Sequence, residues 1–329
     1  MSKQPVSMIL GTGSAAPKKV LTNFDLEKMV ETSDEWIRER SGIERRHILE
    51  DGKTNSDLAT EAAKKALEDA SLTAKDIDAI LIGTVTPDML FPSTACYVQA
   101  KLGAKNAAAF DLSAACSGFL YALTIADSFI NQGDMKHILI IGSEVLSRWV
   151  DWEDRATCVL FGDGSGAAVL GPSDGKKGIL STYIKSDGRL AHLLNTPGGG
   201  ASHPASHETV DQKMHYLKMA GREVFKHAVR TMADAAVHGI EKAGFTDHDI
   251  DLLITHQANV RIINAIGKRL KLSKEKVFIN IQEYGNTSAA TIPIALDEAR
   301  RGGRLKDGQK CLLAAFGGGF TWGASMIQF

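Results

Sequence analysis

Short continuous apolar runs alternate with longer segments of helical periodicity along most of the chain. The runs include Ser7-Met8-Ile9-Leu10, Ala79-Ile80-Leu81-Ile82, Ala107 to Leu112, His137-Ile138-Leu139-Ile140, Leu252-Leu253-Ile254-Thr255 and Lys310-Cys311-Leu312-Leu313. Between them, Ala122, Ile125 and Phe129 recur at helical spacing, as do Ile262, Ile263, Ile266 and Leu270. Runs this short and this apolar predict strands buried on both faces, and their alternation with helices predicts an α/β protein with mainly parallel pairing. The segment from Asp187 to Glu208, with Pro197-Gly198-Gly199-Gly200, reads as a loop.

The pattern occurs twice. Glu68, Ala70, Thr73, Asp76, Ile77 and Asp78 match Glu241, Ala243, Thr246, Asp249, Ile250 and Asp251 at a constant offset. The same offset aligns Ala122-Leu123 and Ala126 with Ala295-Leu296 and Ala299. Both halves then reach a glycine-rich segment, Phe161-Gly162-Asp163-Gly164 and Phe316-Gly317-Gly318-Gly319. Two copies imply a pseudo-two-fold arrangement with halves at 1–174 and 175–329. In it, Gly83 is the counterpart of His256, and the helix start at Cys116 that of the segment after Asn286.

A chain of 329 residues can form one large domain or two fused ones. Its formal net charge of −1 gives no bulk attraction for nucleic acid or membrane, so an acidic partner must meet a local basic patch. The four cysteines, Cys96, Cys116, Cys158 and Cys311, form no CxxC and no regular framework, which points to a reducing compartment. Cys158 and Cys311 lie in strand-like apolar runs, and these two with Cys96 read as buried small hydrophobes. With no signal-peptide pattern and no membrane-length apolar run, a cytoplasmic enzyme is the expectation.

Cys116 is different. It sits where an apolar strand turns into a helix, in Asp111-Leu112-Ser113-Ala114-Ala115-Cys116-Ser117-Gly118-Phe119. Unpaired N–H groups and the helix dipole favour a thiolate there, and the small neighbours leave room for a substrate. A buried cysteine at such a junction can also be plain packing. The second half adds His256 after a buried strand and Asn286 in Tyr284-Gly285-Asn286-Thr287-Ser288, and strand ends are where α/β sheets place ligands. Acyl chemistry further needs oxyanion donors, which the Cys116 amide and a glycine amide in Phe316-Gly317-Gly318-Gly319-Phe320 could supply; a tight turn is the plainer reading of that glycine run.

Other motifs carry less. Gly11-Thr12-Gly13-Ser14-Ala15-Ala16 is followed by Pro17-Lys18-Lys19-Val20 rather than a helix, so it fails as a dinucleotide fingerprint. His203 and His207 have ligand spacing but flank Pro204 in a loop, so no metal site is expected. Arg261, Lys268 and Arg269 share a helix face that is either solvated surface or a dock for an acidic carrier. Trp36 with Arg38 and Arg40 could stack an adenine and meet phosphates, or cap an exposed helix.

Taken together, Thr32-Ser33-Asp34-Glu35-Trp36-Ile37, Phe91-Pro92-Ser93, Ala114-Ala115-Cys116-Ser117-Gly118, Asp154-Arg155, Phe161-Gly162-Asp163-Gly164, His256-Gln257-Ala258-Asn259, Tyr284 to Ala290 and Phe316 to Gly319 span nearly the whole chain. In these motifs it resembles the β-ketoacyl-acyl-carrier-protein synthase III family, the initiating condensing enzymes of bacterial type II fatty-acid synthesis, within the thiolase-like superfamily. The resemblance implies a five-layered αβαβα fold, a homodimer and ping-pong catalysis with no cofactor beyond its substrates. Cys116 would take an acyl group from acyl-CoA. Malonyl-acyl-carrier protein would lose CO₂ and attack that thioester, with neutral His256 and Asn286 donating to the enolate oxygen and the amides of Cys116 and Gly319 holding the oxyanion. Trp36 and Arg155 would sandwich the CoA adenine, with Arg40 near its phosphate. Gln257, Ala258, Asn259, Val260 and Arg261 would meet the carrier protein, aided by Lys226, Lys268 and Arg269. Leu146, Leu160 and Phe161 would line the acyl pocket, closed by Phe91 from across the dimer. Rival readings are a secondary-metabolite condensing or acyl-transfer enzyme on the same scaffold, a cysteine hydrolase, and a non-catalytic binding module.

Overall fold

The computed structural model describes residues 4–329. Two mixed sheets carry the molecule. The first orders its strands Ser7–Ala15, Asp163–Pro172, Ile138–Val145, Ala79–Gly83 and Ala108–Leu112; the second orders Gly178–Ser186, Thr321–Gln328, Lys310–Gly317 and Leu252–Thr255. Strand for strand, the second sheet repeats the first in the sequence of its elements. It departs at the fifth place, where only Val277 bridges Leu253 before the chain turns into the short helix Ile281–Tyr284.

Pairing is not mainly parallel as the apolar runs implied. Ala79–Gly83 runs parallel to both neighbours, and Leu252–Thr255 to Lys310–Gly317, but the remaining four pairings are antiparallel. A strand buried on both faces looks the same in sequence whichever way its neighbour runs, so hydrophobicity could not report direction.

Alternation along the strands builds five layers. Ala79, Leu81, Ile138 and Ile140 face one side of the first sheet; Leu252, Ile254, Cys311, Leu313 and Ala315 face the same space from the second. That space holds the helices Gly118–Gln132 and Thr291–Arg301, through Phe119, Leu120, Leu123, Ile292, Leu296 and Ala299. The alternate residues Ile80, Ile82, Leu139 and Ile141 face Asn55–Asp69 and Thr94–Leu102 on one outside. Leu253, Leu312 and Ala314 face Gly221–Ala243 and Val260–Arg269 on the other. Each fully buried Leu or Ile contributes about 1.5–3 kcal/mol, so the central layer fixes how the two halves sit on each other.

Two cysteines depart from expectation. Cys158 ends the short helix Arg155–Cys158, which the Asp154 side chain caps, rather than a strand, although it is buried. Cys96 is only half-buried, on helix Thr94–Leu102. The Asp187 to Glu208 loop contains the helical turn Gly188–Leu193, and His207 opens the short helix His207–Asp211.

Candidate active site

The sheets stop at a common edge between the halves, and the chemistry gathers there. After Ala108–Leu112 the chain makes one tight turn, Ala115–Ser117, before helix Gly118–Gln132. Its counterpart, Ser288–Ala290, precedes helix Thr291–Arg301. Each turn holds a non-glycine residue in left-handed backbone, Ala115 at φ 46° and Ser288 at φ 49°. Such residues cost about 1–3 kcal/mol each and cluster at functional sites.

The first turn places Cys116, buried at 8% exposure, against the second. Burial pushes its thiol up to about 12; the Ser288 hydroxyl pulls it down and the Glu144 carboxylate adds to the rise. The helix-start argument for a resting thiolate therefore fails: desolvation outweighs the partial charge of the turn. On the other side, a side chain at Gly317 would put Cβ 2.6 Å from the Cys116 amide nitrogen, so only glycine lets the Lys310–Gly317 strand end approach the nucleophile. Gly319, at φ 126°, lies on the same cavity wall as Cys116.

His256 follows Leu252–Thr255 and continues its ladder, donating its amide to Ala314 O at 2.8 Å. Burial without a charged partner lowers the imidazole to about 3, so it is neutral, as expected. Its Nδ1 meets Thr291 Oγ1 at 2.7 Å, and that hydroxyl donates to Ser288 O at 2.9 Å. Asn286 is reached through Gly285, whose φ of 64° and ψ of −156° leave no room for Cβ against Leu160 O. The Asn286 backbone is then locked between Leu160 O at 2.8 Å and the Gly162 amide at 3.1 Å, in the first half. Its Oδ1 accepts the Ser288 amide at 2.9 Å, which leaves Nδ2 as the free donor.

Cys116, His256 and Asn286 line one cavity of about 730 Å³. Leu146, Leu160 and Phe161 line it too; Phe91 does not, being 84% exposed, while its neighbour Leu90 sits on the rim. Ala258 and Asn259 reach the cavity, and Asn259 also caps helix Val260–Arg269 and donates to Arg40 O at 2.8 Å. Gln257 is a correction. It is 1% exposed and spends its amide on Thr255 O, Phe278 O and the Asn280 amide, so it has no surface to offer a carrier protein.

Val260 is half-buried against Gly42, whereas Arg261, Lys226 and Lys268 are exposed; Arg261 lies 5.5 Å over the Phe225 ring, and Arg269 is paired with Asp234 at 2.7 Å. Trp36 and Arg155 are together, the guanidinium 5.1 Å from the indole centroid and donating to Glu31 O. A base sandwiched between the two would have to part them. Arg40 stands exposed nearby in helix Asp34–Ser41. No group of three or more His, Cys, Asp or Glu among the described residues is arranged to hold a metal. Ser288, Thr291 and Glu144 were given no role in the sequence reading; the turn at Ser288, matching the one at Cys116 under the internal offset, was the available signal for the first two.

A cysteine on the wall of a largely apolar cavity that also carries a neutral imidazole and a carboxamide donor is equipped to hold an acyl group and to stabilise an oxygen that turns anionic. On a doubled five-layered fold, that is the equipment of a thiolase-type condensing enzyme. The family model described as 3-oxoacyl-[acyl-carrier-protein (ACP)] synthase III matches residues 110–188, and the model of its C-terminal part matches residues 240–329. A beta-ketoacyl-[acyl-carrier-protein] synthase III from Caldanaerobacter subterraneus subsp. tengcongensis is 56% identical over 100% of this chain and 99% of its own. The crystal structure of 3-oxoacyl-[acyl-carrier-protein] synthase III from Aquifex aeolicus superposes with TM-score 0.92 at 53% identity, covering 98% of this chain and 100% of that one. The priming beta-ketosynthase of the R1128 polyketide pathway superposes equally well, TM-score 0.92, at 33% identity over 100% and 98%. The chain belongs to the beta-ketoacyl-[acyl-carrier-protein] synthase III family.

Proposed function

We propose that this enzyme condenses a short acyl-CoA primer with malonyl-acyl-carrier protein, releasing CO₂ and CoA and giving 3-ketoacyl-acyl-carrier protein, with Cys116 as the acyl carrier. The observation that carries the reading is the pair of uncharged donors, His256 and the Asn286 Nδ2, on the same cavity as the Cys116 thiol. In the first half-reaction the Cys116 sulfur attacks the acyl-CoA carbonyl, and the Cys116 and Gly319 amides hold the oxyanion. In the second, loss of CO₂ leaves an enolate whose oxygen is met by His256 and Asn286. A cationic imidazole would bind the malonyl carboxylate and stabilise the ground state; a neutral one stabilises charge only as it reaches the enolate oxygen. That role needs the tautomer with Nε2–H, in which the Thr291 hydroxyl turns its one proton from Ser288 O to His256 Nδ1.

The first half, residues 1–174, supplies the nucleophile and the second, 175–329, its two donors. CoA enters past Trp36, Arg40 and Arg155. Exposed Arg261, Lys226 and Lys268 supply local positive charge for an acidic carrier protein on a molecule of near-zero net charge. Phe91, exposed with Met89 and Leu90, covers the partner's pocket in a homodimer. The substrates provide all the chemistry, so no cofactor is called for. No helix among the described residues is long and apolar enough to cross a membrane, which fits work in the cytoplasm. The higher identity to synthase III relatives than to the polyketide priming enzyme favours fatty-acid initiation over a secondary-metabolite role. Incubation with acetyl-CoA and malonyl-carrier protein tests this: a 3-ketoacyl-carrier product is expected, with Cys116→Ala unable to acylate and Asn286→Ala impaired mainly in decarboxylation. No ketoacyl product with any short acyl-CoA refutes it.

A further inference from the structure

Glu144 has no place in the chemistry above, yet it is 0% exposed at the active-site end of the Ile138–Val145 strand. What faces it is a set of hydrogen-bond donors rather than a cation. Its Oε2 accepts from Thr84 Oγ1 at 3.1 Å, the Val85 and Thr86 amides at 3.1 Å each, and Thr86 Oγ1 at 2.6 Å. So many donors on one oxygen fix the orientation of the carboxylate. Its Oε1, which the Val85 amide meets only at 3.3 Å, is thereby aimed into the second half, where it accepts from Ser288 Oγ at 2.9 Å.

The internal duplication shows what is particular about this contact. Under the offset that pairs Gly83 with His256, Glu144 is the counterpart of Gly317 and Ser288 that of Ala115. Ala115 and Ser288 both hold left-handed backbone, and each of their turns meets a strand end from the other half. At the Cys116 turn the approach is backbone on backbone: a Cβ at Gly317 would lie 3.2 Å from that of Ala115. At the donor turn a carboxylate and a hydroxyl stand in those two places. One turn is packed against glycine; the other is tethered by a hydrogen bond to a charged group, roughly twice as strong as one between neutral groups.

What the tethered turn carries is the aim of Asn286. A carboxamide offers a donor on one side and an acceptor on the other, and half a turn about its own axis exchanges them. The bonds from the Asn286 backbone to Leu160 O and the Gly162 amide place the residue but do not decide which way its side chain faces. The Ser288 amide does, because only Oδ1 can accept from it, at 2.9 Å. The Ser288 carbonyl, in turn, accepts from the Thr291 hydroxyl that meets His256 Nδ1. We propose that Glu144 and Ser288 are positioning residues for the condensation: the carboxylate holds the Ser288 hydroxyl, and so fixes the turn whose amide directs Asn286 Nδ2, rather than Oδ1, at the enolate oxygen. This rests on the reading of Asn286 as an enolate donor and adds what aims it. Glu144 touches no substrate in this role and moves no proton.

The test is single-turnover CO₂ release from malonyl-carrier protein by pre-acylated enzyme, with the rate of acyl adduct formation on Cys116 measured beside it. Ser288→Ala removes only the hydroxyl, and Ala115 shows that alanine takes up this left-handed backbone. It should slow CO₂ release about 10- to 100-fold at saturating malonyl-carrier protein, while KM for that substrate and the acylation rate stay within about threefold. In an Asn286→Ala background the same substitution should cost nothing further, because a residue that acts through another is not additive with it. Glu144→Gln can keep its oxygen among the Oε2 donors and turn its NH₂ to the Ser288 oxygen, which holds the turn without the charge. It should release CO₂ within about fivefold of the wild-type rate. If Ser288→Ala does not fold, Ser288→Gly, which left-handed backbone favours, carries the same measurements. An unchanged rate of CO₂ release in the Ser288 variant, an equal loss in acylation, losses that multiply with Asn286→Ala, or a Glu144→Gln enzyme as slow as the Ser288 variant would each overturn the positioning role. A wild-type enzyme that acylates Cys116 but releases no CO₂ from malonyl-carrier protein would instead overturn the condensation reading, and the positioning role with it.

Discussion

Replacing Thr291 by Val separates the two half-reactions through a single hydroxyl. Thr291 is buried at the first position of helix Thr291–Arg301, and valine matches its shape and keeps the helix start. The substitution removes the 2.7 Å contact to His256 Nδ1 and with it the hydroxyl that orients the imidazole and, by turning its proton from Ser288 O to Nδ1, selects the Nε2–H form. Leaving a buried polar atom without its partner costs about 1–3 kcal/mol. If that cost falls on the donating form of His256, the decarboxylation barrier rises by the same amount, and at 1.36 kcal/mol per decade the rate drops about 5- to 150-fold. Cys116 acylation does not use His256 and should keep its rate. The assay is single-turnover CO₂ release from malonyl-carrier protein by pre-acylated enzyme, set beside the rate of acyl adduct formation from acyl-CoA. Equal losses in both steps, or an unchanged rate of CO₂ release, would refute the assignment of Thr291 and His256 to the enolate.

Three other outcomes are expected. Gly317→Ala would place Cβ 2.6 Å from the Cys116 amide, against ordinary contact at 3.4 Å or more, and displacing a nucleophile by a fraction of an ångström should slow acylation about 100-fold with little change in secondary structure by circular dichroism. Arg261→Glu should raise KM for malonyl-carrier protein, more at low salt than at high, and leave acylation from acyl-CoA alone, which stopped-flow at two ionic strengths can check. His256 titrates at about 3 when folded and near 6.5 when unfolded, so the unfolded chain binds the extra proton between those values. Stability is therefore lost as pH falls from about 6.5 toward 3, and urea melts at pH 7 and pH 5 should show a smaller loss in His256→Gln than in the wild type.

The meeting of Cys116, His256 and Asn286 on one cavity was legible in sequence because each follows a recognisable apolar run and because the duplication put Cys116 and the Asn286 segment in matching places. Strand direction was not, since residues such as Leu139 and Leu312 are buried on either side whatever the pairing. The helix dipole suggested a thiolate at Cys116, but the sequence does not carry the depth of burial that outweighs it. Gln257 lies in a polar motif beside the site, so it read as surface; three backbone partners that come from the Thr255 and Phe278–Asn280 segments hold it inside. Glu144 and Ser288 are 144 residues apart and meet only because the two halves stack. A lone glutamate at a strand end carries no periodic signal, and nothing local ties it to a turn in the other half.

The central claim is that an acyl group passes through Cys116 to a malonyl-derived carbon, and one measurement addresses it directly. Enzyme treated with isotopically labelled acetyl-CoA, freed of excess and resolved by intact-protein and peptide mass, should carry one acetyl group on the peptide containing Cys116. Adding malonyl-carrier protein should then remove it and deliver the label to the ketoacyl-carrier product. A label that sits on another residue, or one that leaves Cys116 only as free acetate, would contradict the account.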